Sequence, residues 1–430
     1  MFDGRDLNRL LEELLGPPVP PPTARRLVQH TATLCHLKHD SFPGAQPVSF
    51  VKSDIARLQK NDYWVCEKSD GIRVLLLIIY DDNAHEVFLL DRNNTYRSVN
   101  GFYFPHYEDP ARALGNSVLD GELLIEVDPV TRKETTWLLL FDCLVCDDQN
   151  LMNKPLISRY GRLQDWLFTP FDRMLKEMPH LAKNMPFELG VKKMELSYGL
   201  PLVLNEYIPR LHHGSDGLIF TCVETGYVSG TDSALLKWKP PSENSIDFKL
   251  QVRFPPHQSG SEDANSRGIP LCLLMVWCGK SVYEYFDVLE LDEGEWADMK
   301  ASNSQYDDRI VEVHWDFERQ RWKFMRFRND KRNANHRSTV DGIISSIIDG
   351  VQEDELIAAA PTIREAWKAR ERGPPDVHAR NAQHAPSVYP PLPSQPPEIG
   401  RGTIRAGKPY HVANRFSKVG GPKQILGWKR

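Results

Sequence analysis

Apolar residues along this chain fall into short runs that stop at turn chemistry. From Trp64 to about Cys146 the runs close on KSDG, DRNN and DPVTRKE, a pattern that predicts consecutive strands. The connections are too short for helical crossovers, so antiparallel sheets are expected and a doubly wound parallel sheet is not. Residues 155–185 change period: SRYGRLQDWLFTPFDRMLKEM carries an apolar stripe at helical spacing. Strands return in GLIFTCVE and ALLKWKP.

Residues 247–330 have another texture. DFKLQVRF, LCLLMVWC, EYFDVLEL, RIVEVHWDFE and RWKFMRFR are short and aromatic, and five such strands suggest a small barrel of the OB type. Val340, Ile343, Ile344, Ile347, Ile348 and Val351 then share one helical face. The expected class is α+β, with sheets in residues 1–243 and an OB barrel in residues 244–372. A C-terminal helix over about 339–358 follows the barrel, with packing back on the first domain left open. Residues 373–430 are rich in proline and glycine and more basic than acidic, which predicts a disordered tail. At the other end, MFDGRDLNRLLEELLG reads as an amphipathic helix and GPPVPPPTARRL as a proline break.

Composition narrows the class little further. The 430 residues are 41% hydrophobic and 26% charged, with a formal net charge of -5. That balance is globular and neither demands nor excludes a nucleic-acid partner. No apolar run reaches membrane length. Seven scattered cysteines suit a reducing compartment. Cys143 and Cys146 form one C-x-x-C inside an expected strand, where an offset of three should turn the thiols to opposite faces.

The candidate chemistry begins at Lys68 in EKSDGIR. A lysine held by the Asp70–Gly71 turn, with Arg73 behind it, has a fixed direction and a cationic neighbour. Partial burial and that neighbour would help the amine shed its proton and act as a nucleophile. Lys237 and Lys239 in LLKWKP are two apart, so both face one side of a strand, and an anion such as phosphate would relieve their repulsion. Edge-strand protection is the plainer reading of that pair. Glu122 in VLDGELL and Asp216 in DGLIF are carboxylates at strand edges, and each alone would pass for a solvated turn residue.

Taken in order, EKSDGIR, VLDGELL, LLFDCL, DGLIF, LLKWKP and MRFRNDK resemble the six collinear motifs of the covalent nucleotidyltransferases, the superfamily of mRNA capping enzymes and polynucleotide ligases. The R-x-D-K ending, the LLKWKP form and PGAQPVSF ahead of the lysine resemble the capping branch, most closely the fungal type of mRNA guanylyltransferase. The likeness spans about residues 40–350. Ser69 departs from it, standing where threonine is common, and the basic tail has no counterpart in the motif core.

The resemblance implies that Lys68 attacks the α-phosphorus of GTP, expels pyrophosphate and forms lysyl–GMP, which a 5′-diphosphate RNA end then takes as a GpppN cap. It implies that Asp70 and Gly71 shape the nucleotide site and that Arg73 and Glu122 hold the ribose. Arg92 would meet ribose or phosphate, Phe141 would stack on guanine, and Lys193 would contact its O6. Lys237 and Lys239 would grip the α-phosphate. Asp216 would support Mg²⁺ or Mn²⁺. Asp247 would assist near the hinge, and Arg328, Asp330 and Lys331 would reach the outgoing phosphates on closure. Neither Cys35 nor Cys66 opens a C-x5-R phosphate loop, so a separate RNA 5′-triphosphatase subunit is expected as a partner. The phosphorylated C-terminal repeat tail of RNA polymerase II, a nuclear location and no membrane association complete that expectation. An ATP-dependent polynucleotide ligase, or a catalytically inactive module binding RNA or the polymerase tail, are the competing readings.

Overall fold

A computed structural model describes residues 7–81, 84–254, 268–302, 304–329 and 331–372. The tail from 373 on and Asp330 lie outside the described residues. Helix α1 (Leu7–Leu15) lays Leu11 into a core, as its amphipathic pattern predicts. Helix α2 (Pro21–Leu34) starts inside the proline-rich stretch, with proline in its first turn, where no amide hydrogen is needed.

Three sheets follow. The first has the order β1 (Ala45–Ser49), β12 (Gly230–Trp238), β11 (Ser215–Cys222), β2 (Tyr63–Ser69), β10 (Glu195–Leu196). The second runs β5 (Tyr96–Val99), β4 (Ala84–Asp91), β3 (Ile72–Asp81), β6 (Ser117–Val127), β7 (Glu134–Cys146), β8 (Gln149–Asn150), with β9 (Glu188–Val191) parallel to β7. The third is the expected five-stranded barrel sheet: β15 (Tyr283–Leu289), β14 (Leu271–Trp277), β13 (Ser245–Arg253), β16 (Ile310–Asp316), β17 (Arg321–Phe327). The remaining helices are α3 (Asp54–Lys60), α4 (Leu156–Arg162), α5 (Thr169–Glu177), α6 (Leu200–Leu202), α7 (Glu293–Ala301), α8 (Arg337–Ile348) and α9 (Glu353–Arg372).

Strand β3 explains the unbroken run VLLLII. Val74, Leu76 and Ile78 face a core shared with the helical stretch after α4, while Leu75, Leu77 and Ile79 face another shared with Leu27 of α2. A strand covered on both sides has no polar face to alternate. Each fully buried leucine there is worth roughly 1.5–3 kcal/mol.

Simple alternation fails at two β-bulges, and at the first an expectation fails with it. Opposite Val118 and Leu119, β7 pairs through Val145 and Cys143, leaving Leu144 extra. The bulge resets the alternation, so Cys143 and Cys146 both enter the same core instead of opposite faces. Burial pushes the Cys143 thiol up. On β17 a bulge between Glu312 and Val313 of the partner strand leaves Met325 extra. Met325 is exposed, and Phe324 and Phe327 pack inward instead.

The expected single helix over 339–358 is two. Val340, Ile343 and Ile347 of α8 complete the barrel core, and Ile348 stays exposed. The chain then crosses over: Val351 and, on α9, Leu356, Ala360 and Ile363 join the core of the first sheet with Phe220, Leu236 and Trp238. The Trp238 indole N–H donates to the Val351 carbonyl at 2.9 Å.

Candidate functional site

Strands β2 and β3 are consecutive in the chain yet belong to different sheets, so Asp70–Gly71 is not a hairpin turn. It is the link where the backbone leaves one sheet for the other. Gly71 has no left-handed φ. It is required by space, since a Cβ there would sit 2.6 Å from the Leu123 carbonyl and 2.8 Å from Glu122 Cγ. Lys68 lies just before this seam.

A bulge shapes the ground opposite it. Leu218 pairs with Glu67 and Ser215 with Ser69, so Asp216 and Gly217 together oppose Lys68. Gly217 has φ +149°, and a Cβ would strike the Trp238 carbonyl. With that bulk absent, Asp216 reaches both flanking amines: Lys68 Nζ donates to Asp216 Oδ1 at 2.7 Å, and Lys239 pairs with Oδ2. Burial raises the Asp216 carboxyl, but Lys68 and then Lys239 outweigh it and hold it below the usual carboxylate range. Asp216 and Glu122 are therefore not solvated turn residues. Lys237 and Lys239 are likewise in the cleft and not on a free edge: β12 lies between β1 and β11.

Lys237 is the electrostatic focus. Burial, then the charges of Lys239, Lys68, Arg92 and Lys331, brings its pKa down to about 8. The last name is informative, because Lys331 belongs to the barrel: the barrel stands over the cleft. Asp247 on β13 organises that side, accepting from Arg328 at 3.2 Å and pairing with Lys331. Arg92 is open to solvent in the turn after β4; protein packed around its head group, then Arg73, pulls its pKa down, and Arg328 adds to this.

The second sheet supplies the other wall. Burial raises the Glu122 carboxyl against the opposing charges of Lys192, Arg92, Arg73 and Lys68. Phe141 has the Arg73 guanidinium 5.3 Å and Lys192 Nζ 5.9 Å from its ring centre. Arg73 is not the cation beside Lys68 that its spacing suggests. Its Nε donates to Asp120 Oδ1 at 2.8 Å, and Nη2 meets Asp120 and the Tyr227 hydroxyl. Nη1 donates to the Ala45 carbonyl at 2.5 Å. The Arg73 head group is thus fixed against the ring of Phe141.

Lys193 does not face this pocket. It is exposed and engages Tyr207 and Glu195. Its neighbour Lys192 does: buried, it donates to Ser69 Oγ at 2.7 Å and pairs with Glu67 at 3.3 Å. The ladder is the missed signal. Lys192 N–H bonds the Leu140 carbonyl, continuing β9 by one residue, so Gly190 and Lys192 take one side and Lys193 the end. His213 was also missed. Its Nε2 lies 3.3 Å from Ser69 Oγ and its Nδ1 3.2 Å from Glu126.

Among the described residues no three His, Cys, Asp or Glu side chains converge as a protein-only metal site. A hard cation takes oxygen ligands, and Asp216 is the carboxylate beside these amines, with its two oxygens paired to Lys68 and Lys239.

The family described as mRNA capping enzyme, catalytic domain matches residues 11–241, and mRNA capping enzyme, C-terminal domain matches residues 243–357. The chain is 41% identical to the mRNA-capping enzyme subunit alpha of Schizosaccharomyces pombe, over 84% of this chain and 91% of that one. It is 42% identical to that of Neurospora crassa, over 76% and 87%. A solved mycobacterial DNA ligase D complexed with ATP is similar at a TM-score of 0.31 and 16% identity, covering 68% of this chain and 95% of that one.

Proposed function

The chain belongs to the mRNA capping enzyme family and is a guanylyltransferase acting on RNA, and we propose that Lys68 is the residue that carries GMP. The observation supporting that role is the convergence of Lys68, Lys237 and Lys239 on one face beside the two-residue bulge, with Asp216 between the first and last. Three amines around one carboxylate leave an excess of positive charge that an α-phosphate satisfies.

In the first step the Lys68 amine forms a P–N bond to the α-phosphorus of GTP, loses a proton, and pyrophosphate leaves with the electron pair of the broken P–O bond. In the second, a β-phosphate oxygen of 5′-diphosphate RNA bonds to the same phosphorus as the P–N bond breaks. Lys68 regains its electron pair and takes up a proton. Lys237 and Lys239 hold the non-bridging oxygens through both steps, which is positioning and charge neutralisation. Phe141, Arg73, Glu122 and Lys192 shape the nucleoside pocket, with Arg92 at its mouth. Arg328 and Lys331, steadied by Asp247, meet the outgoing phosphates. A divalent cation, Mg²⁺ or Mn²⁺, would be held by Asp216 and would supply further neutralisation of phosphate charge.

The subunit alpha names of the relatives support a second subunit as partner, and we assign that role to an RNA 5′-triphosphatase. The phosphorylated repeat tail of RNA polymerase II and a nuclear location follow from the same reading. Among the described residues no helix is long and apolar enough to cross a membrane.

The test is incubation with α-³²P-GTP or α-³²P-ATP and a divalent cation, then denaturing electrophoresis. A GTP-specific, acid-labile and alkali-stable label is expected, and Lys68→Ala should abolish it with thermal unfolding unchanged. Label surviving that substitution would move the nucleophile elsewhere. Label from ATP alone would turn the reading to a ligase.

A further inference from the structure

The proposed GTP site leaves a cationic pocket on the barrel unused. A cavity of about 260 Å³ is lined by Lys249, Tyr283, Asp308, Arg309, Arg328, Asn329, Lys331 and Arg332 among others. Arg328 and Lys331 form the wall it shares with the cleft. Their charges are felt at Arg92 and Lys237, respectively. Lys331 and Arg328 thus act on the cleft by their charge and line this pocket together with Lys249, Arg309 and Arg332.

The outer residues are placed for a ligand rather than for the core. Lys249 Nζ lies 5.0 Å from the ring centre of Tyr283 and pairs with Asp308 at 2.8 Å. Arg309 stacks on Phe327 at 3.5 Å and donates to Asn329 Oδ1 at 2.6 Å. Arg332 is exposed. Five cations line the pocket against three carboxylates that pair with them, Asp308, Asp247 and Glu312, so positive charge remains in excess and an anion is favoured. The aromatic Tyr283 beside lysine and arginine is what a single-stranded nucleic acid uses on a barrel of this kind, phosphates on the cations and a base on the ring.

We propose that this pocket holds the first nucleotides of the acceptor RNA, with Lys249, Arg309 and Arg332 on its phosphates and Tyr283 against a base. This rests on the guanylyltransferase reading. The shared wall aims the 5′-diphosphate of a strand lying in the pocket at the α-phosphorus carried by Lys68. On this proposal the pocket serves the second step, and the first does not need Lys249, Arg309 or Arg332.

The two steps separate cleanly in the full-length chain. Lysyl–GMP formation is measured with labelled GTP. Transfer is measured by chasing purified lysyl–GMP enzyme with a short 5′-diphosphate RNA. The variants are Lys249→Gln, Arg309→Gln and Arg332→Gln. The last is exposed, so its loss leaves packing intact. Lysyl–GMP formation should stay within about twofold. The KM for RNA should rise on the order of tenfold for each variant, as expected for a lost charged hydrogen bond. The slope of log(kcat/KM) for RNA against log salt should become shallower by about 0.7 per phosphate contact removed. Transfer unchanged in all three variants overturns the proposal, and so does an equal loss in both steps, which would give the pocket to GTP or pyrophosphate. An unsubstituted chain that takes no label from GTP overturns the guanylyltransferase reading and this proposal together. Normal labelling with unaffected transfer overturns this proposal alone.

Discussion

At the scale of single residues, the site is decided by which lysine faces which charge. Lys192 and Lys193 are adjacent and opposite in role. Lys193→Ala should leave GMP labelling within about twofold, because its amine engages only Tyr207 and Glu195 at the surface. Lys192→Met should reduce labelling severely. It also leaves Glu67 buried without its partner, at a cost of about 3–5 kcal/mol. The double variant Glu67→Gln/Lys192→Met separates the two effects: stability should return, labelling should not. Labelling restored by the double variant would make Lys192 a purely structural cation. Lys237 gives a second prediction. Its pKa lies near 8, below the ordinary lysine value. The charge that grips phosphate is therefore present below pH 8 and lost as pH rises through it. The affinity for α,β-methylene GTP, which cannot react, should fall between pH 7 and 9.5. Lys237→Arg should carry the affinity to higher pH, because a guanidinium stays protonated there. Affinity flat across that range in the unsubstituted chain would remove Lys237 from the phosphate grip. The sequence shows the identity of most of these residues, since Lys68, Glu122, Asp216, Lys237 and Lys239 stand in short recognisable motifs. It conceals the pairing. Arg73 looks like the neighbour of Lys68, but Asp120, Tyr227 and the Ala45 carbonyl hold it against the ring of Phe141. Tyr227 lies in no motif and sits more than a hundred residues along the chain from Asp120.

At the scale of elements, the bulges do what alternation cannot. Period-two reading finds most strands of the three sheets, but not β1, β9 or β10. It fails at Cys143, at Met325 and at Asp216–Gly217, each beside an extra residue in the ladder. A bulge has no reliable sequence mark, because its cause is the fit of two strands distant in the chain. The third of these shapes the proposed site. It lowers Asp216 between Lys68 and Lys239 and leaves Gly217 with a φ that side chains rarely adopt. Gly217→Ala should therefore act through geometry. The Cβ would press on the Trp238 carbonyl and drive β11 and β12 apart where the amines converge. Labelling should fall at least tenfold, with a loss of roughly 1–3 kcal/mol in stability, read from denaturant unfolding. Full labelling in Gly217→Ala would show that the bulge is not needed to gather the amines.

At the scale of the molecule, the barrel and the sheets are tied by the chain that follows the barrel. A boundary that assigns residues 244–372 to the barrel misses this, because only the first of the two helices in that stretch belongs to the barrel core. Helix α8 fills the barrel, whereas Val351 and α9 return to cover the sheet that carries Lys68, Asp216 and Lys237. The barrel is thus held between two attachments, the passage from Trp238 into β13 and the return through Val351, where the Trp238 indole closes the loop. The consequence is that residues far from GTP should control the stability of the nucleotide-binding sheet. Leu356 is fully buried against that sheet, so Leu356→Ala should cost about 2–5 kcal/mol. Hydrogen exchange should place that loss in β2, β11 and β12 while β13–β17 stay protected. Ending the chain at 372 should preserve GMP labelling. Ending it at 349 should abolish labelling by unfolding the sheet, although every proposed site residue is retained. Retained labelling in the shorter chain would mean that the first sheet holds its own core, and that α9 is a cover rather than a structural member.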